Sequence, residues 1–270
     1  GVGCTTPSIQ TNFMYINIKD ISHKYSNEDE DLLVLKDLSF SVEKDKFVSI
    51  VGPSGCGKST LTKLIAGLSI PYKGKILISG TPVNSPRKSI GMAFQNPVLL
   101  EWRTTVDNIC LPLEIVSPQM TRKQKIERAT ELLEMVGLKD FSQSRPSQLS
   151  GGMKQRVSLC RSLVHRPEIL ILDEPFGALD AFTREGLWRT LKDLKTSENF
   201  TCILITHDLR EAIYLSDEVV ILTDRPGTVK KSVKTNFQIN SNSVDELYSK
   251  EATKMLAFLR KQIELSHTKL

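Results

Sequence analysis

The sequence predicts an α/β fold: a core of buried strands alternating with helices, an antiparallel β portion at its start and a helical insertion in its middle. Three observations predict it. The runs Phe47–Val51, Ile169–Leu172 and Val219–Leu222 are short and apolar, as strands covered on both faces are. The earlier segments 14–22 and 34–42 alternate instead, as half-buried strands do. Between Ile90–Phe94 and Ile169, residues 96–160 look helical.

Taken in order, residues 14–22 read as a strand, Ser26 to Asp31 as an acidic polar loop, and Val34 to Val42 as a second strand. Asp45-Lys46 stands at the turn before Phe47–Val51, and Asp tolerates the left-handed conformation such a turn asks for. Gly52-Pro53 ends that strand, and a helix from Lys58 places Leu61, Leu64, Ile65 and Leu68 on one face. Lys75–Ser79 and Ile90–Phe94 are further strands. In the helical stretch, Thr121 with Gln124 forms a capping box, Ile126, Ala129, Leu133 and Val136 make a stripe, and Gly137 closes the helix. Strands return at Ile169–Leu172, Cys202–Ile205 and Val219–Leu222. Ser243 and Glu246 predict the start of a last helix, over 243–270, carrying Leu247, Met255, Leu259 and Ile263.

Length and composition are globular: 270 residues, 40% hydrophobic and 25% charged. They exclude wholesale disorder, a collagen repeat and a disulfide scaffold. No run reaches the roughly 18 apolar residues of a membrane-spanning helix. Thirty-six Lys and Arg against 31 Asp and Glu leave +5. The excess is scattered, which argues against nucleic acid as a partner. Its densest part, Arg122, Lys123, Lys125 and Arg128 around Glu127, reads as a solvated helix face. Cys4, Cys56, Cys110, Cys160 and Cys202 are far apart, and no pair has zinc-ligand spacing; a reducing compartment fits them. Residues 1–13 lack the basic and apolar regions of a signal peptide and read as an extension or expression remnant.

Chemistry enters at Gly52-Pro53-Ser54-Gly55-Cys56-Gly57-Lys58-Ser59, followed by Thr60. This is the G-x-x-x-x-G-K-[ST] phosphate loop, with a strand before it and a helix after it. Its glycines let successive backbone N–H groups curl around phosphate oxygens, and the following helix points its positive end at the same anion. Lys58 then reaches the outer phosphates and the Ser59 hydroxyl ligates Mg²⁺. Ile169-Leu170-Ile171-Leu172-Asp173-Glu174 delivers two carboxylates at the end of a buried strand. Asp173 suits the metal shell, and Glu174 is free to orient and deprotonate a water.

Leu149-Ser150-Gly151-Gly152-Met153-Lys154-Gln155-Arg156 closely resembles the signature of the ATP-binding-cassette (ABC) ATPases. Physically, Ser150 is an N-cap, Gly151 and Gly152 leave backbone N–H groups bare, and Met153, Val157, Cys160 and Val164 anchor the helix. Other segments resemble that family in order. Tyr25 resembles the aromatic that stacks on adenine. Gln95 resembles the switch glutamine at Mg²⁺ and the attacking water. Ala178-Leu179-Asp180 resembles the loop after the catalytic strand, and Thr206-His207-Asp208 the histidine switch at the γ-phosphate. The resemblance spans about residues 14–235. Phe94-Gln95-Asn96-Pro97, Leu99–Thr104, Asp173–Asp180 and Arg225-Pro226-Gly227 are most similar to the nitrate/sulfonate/taurine/bicarbonate importer group, with which thiamine-precursor importers are grouped. Glu101 stands where that group usually has proline.

The resemblance implies a phosphate-loop (RecA-like) core, an antiparallel β subdomain and an inserted α-helical subdomain of about 96–158, in a cassette of 14–242. It implies an ATPase binding ATP and Mg²⁺, with Glu174, His207 and Gln95 in catalysis and Ser59, Gln95 and Asp173 at the metal. It also implies head-to-tail pairing with a second ATPase subunit, a homodimer by expectation. Each ATP is then clamped between one subunit's Lys58 and the other's Ser150 and Gly152, with Asp180 crossing between the sites. Residues 96–108, with Leu99, Leu100 and Trp102, are the expected contact to membrane permease subunits. These are served in turn by an extracytoplasmic solute-binding protein. The expected location is peripheral, on the cytoplasmic face of the inner membrane. The alternatives are a soluble ABC ATPase acting on ribosomes or DNA, a small-molecule kinase, and a non-enzymatic ATP sensor. The kinase has no use for Leu149–Arg156, and the sensor none for Glu174.

Overall fold

The computed structural model describes residues 14–26, 31–177, 179–235 and 244–267. Residues 1–13 with Cys4, most of the acidic loop, Ala178 and Ser243 lie outside them. Among the described residues no helix is long and apolar enough to cross a membrane.

Two sheets organise the chain. β1 (Met14–Ser26) pairs antiparallel with β2 (Asp31–Glu43) and with β4 (Lys73–Ile78), which pairs with the short β5 (Thr81–Pro82). The first strand is longer than 14–22: it continues through Tyr25 to Ser26, opposite Asp31. The second sheet runs β10 (Val229–Lys234), β9 (Glu218–Leu222), β3 (Phe47–Val51), β8 (Thr201–Ile205), β7 (Ile169–Asp173), β6 (Ile90–Phe94). All neighbours in it are parallel except β9 and β10. Asp45 adopts the left-handed conformation ahead of β3, at φ +60°.

The parallel strands alternate between two apolar layers. Leu170, Leu172, Cys202 and Leu204 face the helical side, whereas Ile169, Ile171, Ile203 and Ile205 face α1 (Lys58–Ile65) and the antiparallel sheet. The strands are therefore covered on both faces, which is why they read as continuous apolar runs.

The helical insertion contains α2 (Thr105–Val116), α3 (Arg122–Met135) and α4 (Gly151–Leu163). The stretch Gln95–Thr104 is not helical, contrary to the expectation for 96–160, and Leu99 is buried in the core there. The Thr121–Gln124 capping box is present, and Gly137 follows α3 with φ +69°. Arg128 departs from the solvated face expected of it. It is buried, and its guanidinium meets both Glu198 oxygens, at 3.0 and 2.5 Å. Glu198 ends α5 (Ala181–Glu198); α6 (Leu209–Leu215) follows β8.

The C-terminal region differs from one continuous helix. Val244–Tyr248 forms a 3-10 turn that contains Glu246, and α7 (Lys250–His267) starts only after it. Leu247 and Leu259 are nevertheless buried, with Met255 and Ile263 packed beside them. Two lysines of β10 reach α7: Lys230 Nζ donates to the carbonyl of Gln262 at 2.5 Å, and Lys231 Nζ stands 5.0 Å from the centre of the Phe258 ring.

Candidate active site

Parallel register sets the site. Phe94 of β6 is opposite Asp173 of β7, and Asp173 is opposite Ile205 of β8, itself opposite Ile50 of β3. The residues just beyond these strand ends are Gln95, Glu174, Thr206-His207 and the phosphate loop. Four segments distant in sequence thus meet at the carboxyl edge of one sheet, where open α/β sheets bind ligands.

The phosphate loop joins β3 to α1. Gly57 caps the helix at φ +102°, and a Cβ there would lie 2.6 Å from Leu35 Cδ2, so only glycine fits. The Lys58 ammonium, 6% exposed, donates to the carbonyls of Gly52 at 3.0 Å and Pro53 at 2.8 Å. A buried ammonium needs such partners. Cys56, fully buried in the loop, has its thiol pushed up by burial.

Ser59 and Asp173 are brought together: Ser59 Oγ donates to Asp173 Oδ1 at 3.1 Å. Burial pushes the Asp173 carboxyl up, the Ser59 hydrogen bond opposes this, and the adjacent Glu174 charge adds to it. Glu174 has a left-handed backbone at φ +48°, rare for a residue with a side chain. Its N–H donates to the Ile205 carbonyl at 2.9 Å, and its Oε2 lies 3.3 Å from His207 Nδ1. Gln95 is in the same group. A Cβ on Gly177 would lie 3.2 Å from Gln95 Nε2 and 3.6 Å from His207 Cε1.

The His207 turn is held from below. Asp208 N–H donates to Thr206 Oγ1 at 2.9 Å, and Thr206 Oγ1 donates to the buried Glu211 carboxyl. Asp208 caps α6 and is paired with Arg184 at 3.2 Å.

A cavity of about 350 Å³ opens over the loop. Tyr25, Ser54, Gly55, Gly57, Lys58, Ser59, Thr60 and Glu174 line it, and Tyr25 Oη is 3.2 Å from Thr60 Oγ1. Leu32, Val34 and Arg225 line it as well. Nothing in the sequence alone ties these three to a ligand: Leu32 lies outside the alternating stretch 34–42, and Arg225 stands in a turn whose place beside the loop only the fold sets.

Ser150, Gly151, Gly152 and Asp180 do not line this cavity. Ser150 caps α4, accepting from Met153 N–H at 3.3 Å, and Asp180 caps α5, accepting from Thr183 N–H at 3.0 Å. A Cβ on Gly152 would lie 2.4 Å from Thr183 Cγ2, so the two capped helix starts abut. The arrangement is a phosphate cradle with two carboxylates and an imidazole at its edge, and beside each other two further helix N-termini that favour anions.

Comparison with known proteins places this geometry. Residues 35–177 match the family model described as ABC transporter. The chain is 40% identical over 243 residues to an aliphatic sulfonates import ATP-binding protein, SsuB, of Bacillus thuringiensis subsp. konkukian, covering 90% of this chain and 95% of that one. It is 40% identical over 221 residues to the bicarbonate transport ATP-binding protein CmpD of Synechocystis sp., covering 82% and 78%. Among solved structures it is similar to the dimeric ATP-binding cassette MJ0796 in a post-hydrolysis state bound to ADP and Pi. That match has a TM-score of 0.74 and 32% identity, over 82% of this chain and 99% of that one. The chain belongs to the ABC transporter family, as one of its ATPase cassettes.

Proposed function

We propose that this chain is the ATP-hydrolysing subunit of an importer, working as a head-to-tail pair beneath separate membrane permease subunits. The cargo we propose is a small anion of the sulfonate, taurine, nitrate or bicarbonate kind, or a thiamine-precursor-like solute. The observation that carries the reading is the meeting of Lys58, Ser59, Asp173, Glu174 and His207 at one sheet edge. The printed functions of the relatives, aliphatic sulfonate and bicarbonate import, support the cargo class.

In this reading Tyr25 stacks on the adenine, and the backbone N–H groups of the loop from Ser54 to Thr60 with the Lys58 ammonium receive the phosphates. Ser59 Oγ and Asp173 Oδ1, 3.1 Å apart, are hard oxygen donors of the kind Mg²⁺ takes, and such sites complete their shell with substrate phosphates and water. Gln95 is the further oxygen donor for it. When bound, Mg²⁺ neutralises phosphate charge and keeps the reacting groups in line. Glu174 orients a water and takes its proton, and His207 Nδ1, 3.3 Å away, fixes that carboxylate and faces the γ-phosphate.

The abutting starts of α4 and α5 support the paired form. Ser150 and Gly152 offer an anion site remote from the chain's own phosphate loop, and they serve a partner's ATP. Asp180 stands at the same face. ATP is then bound better by the closed pair than by the open one, and loss of the γ-phosphate favours opening. Trp102 supports the permease contact: it is 73% exposed, beside a groove of about 460 Å³ in the helical region.

The test is reconstitution with the membrane subunits that co-purify with the chain. ATP-dependent uptake of a sulfonate, taurine, nitrate or bicarbonate is expected. Glu174→Gln should abolish that uptake and accumulate an ATP-bound dimer on size exclusion. Unimpaired turnover in that variant removes Glu174 as the base, and hydrolysis without uptake of any of these solutes or of a pyrimidine thiamine precursor refutes the cargo class.

A further inference from the structure

The turn from β9 to β10 carries Arg225, Pro226 and Gly227, and the fold returns it to the phosphate loop across 170 residues of sequence. The turn is closed on itself. Thr223 N–H donates to the Thr228 carbonyl at 2.9 Å, and Thr228 N–H donates to Thr223 Oγ1 at 2.9 Å. It is also fixed to β2: Gly227 N–H donates to the Val34 carbonyl at 2.8 Å, and the Gly227 carbonyl accepts from Lys36 N–H at 3.1 Å. A Cβ on Gly227 would lie 2.2 Å from the Cys56 carbonyl oxygen. Turn and phosphate loop therefore approach backbone to backbone, as only glycine allows.

Arg225 is laid over the loop by this clamp. Its Nε donates to the Gly55 carbonyl at 3.1 Å, and its backbone N–H donates to Asp224 Oδ1 at 2.8 Å. A guanidinium has five N–H donors. The four on its two terminal nitrogens have no protein acceptor among the described residues. Lys58 and Arg225 are the cationic residues in the cavity lining, and Lys58 already donates to two loop carbonyls. A fixed, planar fork of free donors suits phosphate oxygens better than a flexible ammonium does.

We propose that Arg225 is a nucleotide-binding residue. Its Nε anchors it to Gly55, and its terminal nitrogens supply a second positive charge to the phosphate chain of a nucleoside di- or triphosphate. This rests on the nucleotide site proposed above. The competing role is a neutral brace, in which only the hydrogen bond to Gly55 counts.

The experiment measures ATP and ADP dissociation constants, at low and high salt, for the full chain and for Arg225→Lys, Arg225→Gln and Arg225→Ala. Nucleotide-free melting is recorded alongside. The neutral variants should bind about tenfold more weakly, as expected for loss of a charged hydrogen-bonding partner, with a shallower salt dependence. Lysine should fall between the parent and the neutral variants and keep the parent's salt dependence, since it keeps the charge but loses the planar fork and the Nε anchor. Glutamine can still donate to Gly55, so parent-like affinity in Arg225→Gln overturns the proposal in favour of the brace. Affinity within about twofold in Arg225→Ala overturns it as well. If alanine lowers the melting point, the lysine and glutamine variants decide the matter. A parent chain that binds neither nucleotide refutes the underlying site, a different result from a parent that binds and variants that do not differ.

Discussion

Glu211 makes a prediction whose sign can be worked out in full. This carboxyl is 3% exposed, receives the Thr206 hydroxyl, and has Arg184 Nε at 3.9 Å, too far for a hydrogen bond. Burial raises it from an ordinary 4.5 to about 7, with the nearby Asp208 charge adding to this and the Thr206 bond and Arg184 opposing it. A carboxyl raised by folding is protonated more readily in the native state than in the unfolded one. Between pH 4.5 and pH 7 the native state therefore binds more protons, and stability falls as pH rises through that window. The displacement corresponds to ~3 kcal/mol, present below pH 4.5 and lost above pH 7. Glu211→Gln keeps the shape and an acceptor for Thr206 but cannot ionise. Relative to the parent, its stability should rise by ~3 kcal/mol between pH 4.5 and pH 8, or roughly 6 °C in melting temperature for a chain of this size. The assay is urea or thermal unfolding of both proteins across that range. A difference between them that does not change with pH would refute the reasoning, and so would one that changes in the opposite direction.

Two further outcomes are expected. Arg128→Ala leaves Glu198 as a half-buried carboxylate without its guanidinium, and should cost about 3–5 kcal/mol in urea unfolding; a loss below about 1 kcal/mol would reduce the pair to an ordinary surface contact. Trp102→Glu should leave ATP binding unchanged and abolish uptake in the reconstituted system, and retained uptake would remove Trp102 from the permease contact.

The site was legible wherever chemistry constrains the backbone itself. A phosphate loop needs glycine at fixed offsets between a strand and a helix, and a strand ending in Asp173-Glu174 announces itself by its apolar run. Local caps were legible for the same reason, as Ser150 and Thr121 show. What failed depended on partners distant in sequence. Arg128 carries no local sign that Glu198 awaits it 70 residues on. Arg225 becomes a cavity residue only because β9 lies beside β3 and returns its turn to the loop. β10 leaves no strand signal in the sequence because Lys230, Lys231 and Lys234 break any apolar pattern. The start of the last helix is not legible because Leu247 is buried in a 3-10 turn before the helix begins, so apolar spacing runs across a break.

Those lysines on β10 have a consequence for how the chain keeps from aggregating. β10 is an outer strand of the six-stranded sheet. An uncovered outer strand is a template on which another molecule can add a strand and begin a fibre. Here the ammonium groups along it discourage such an arrival, while α7 lies against the strand through Lys230, Gln262 and Ser266. The C-terminal helix thus ties down the lysine-bearing strand next to it, and a chain cut short before Lys250 is expected to self-associate, which light scattering of the truncated and full chains would show.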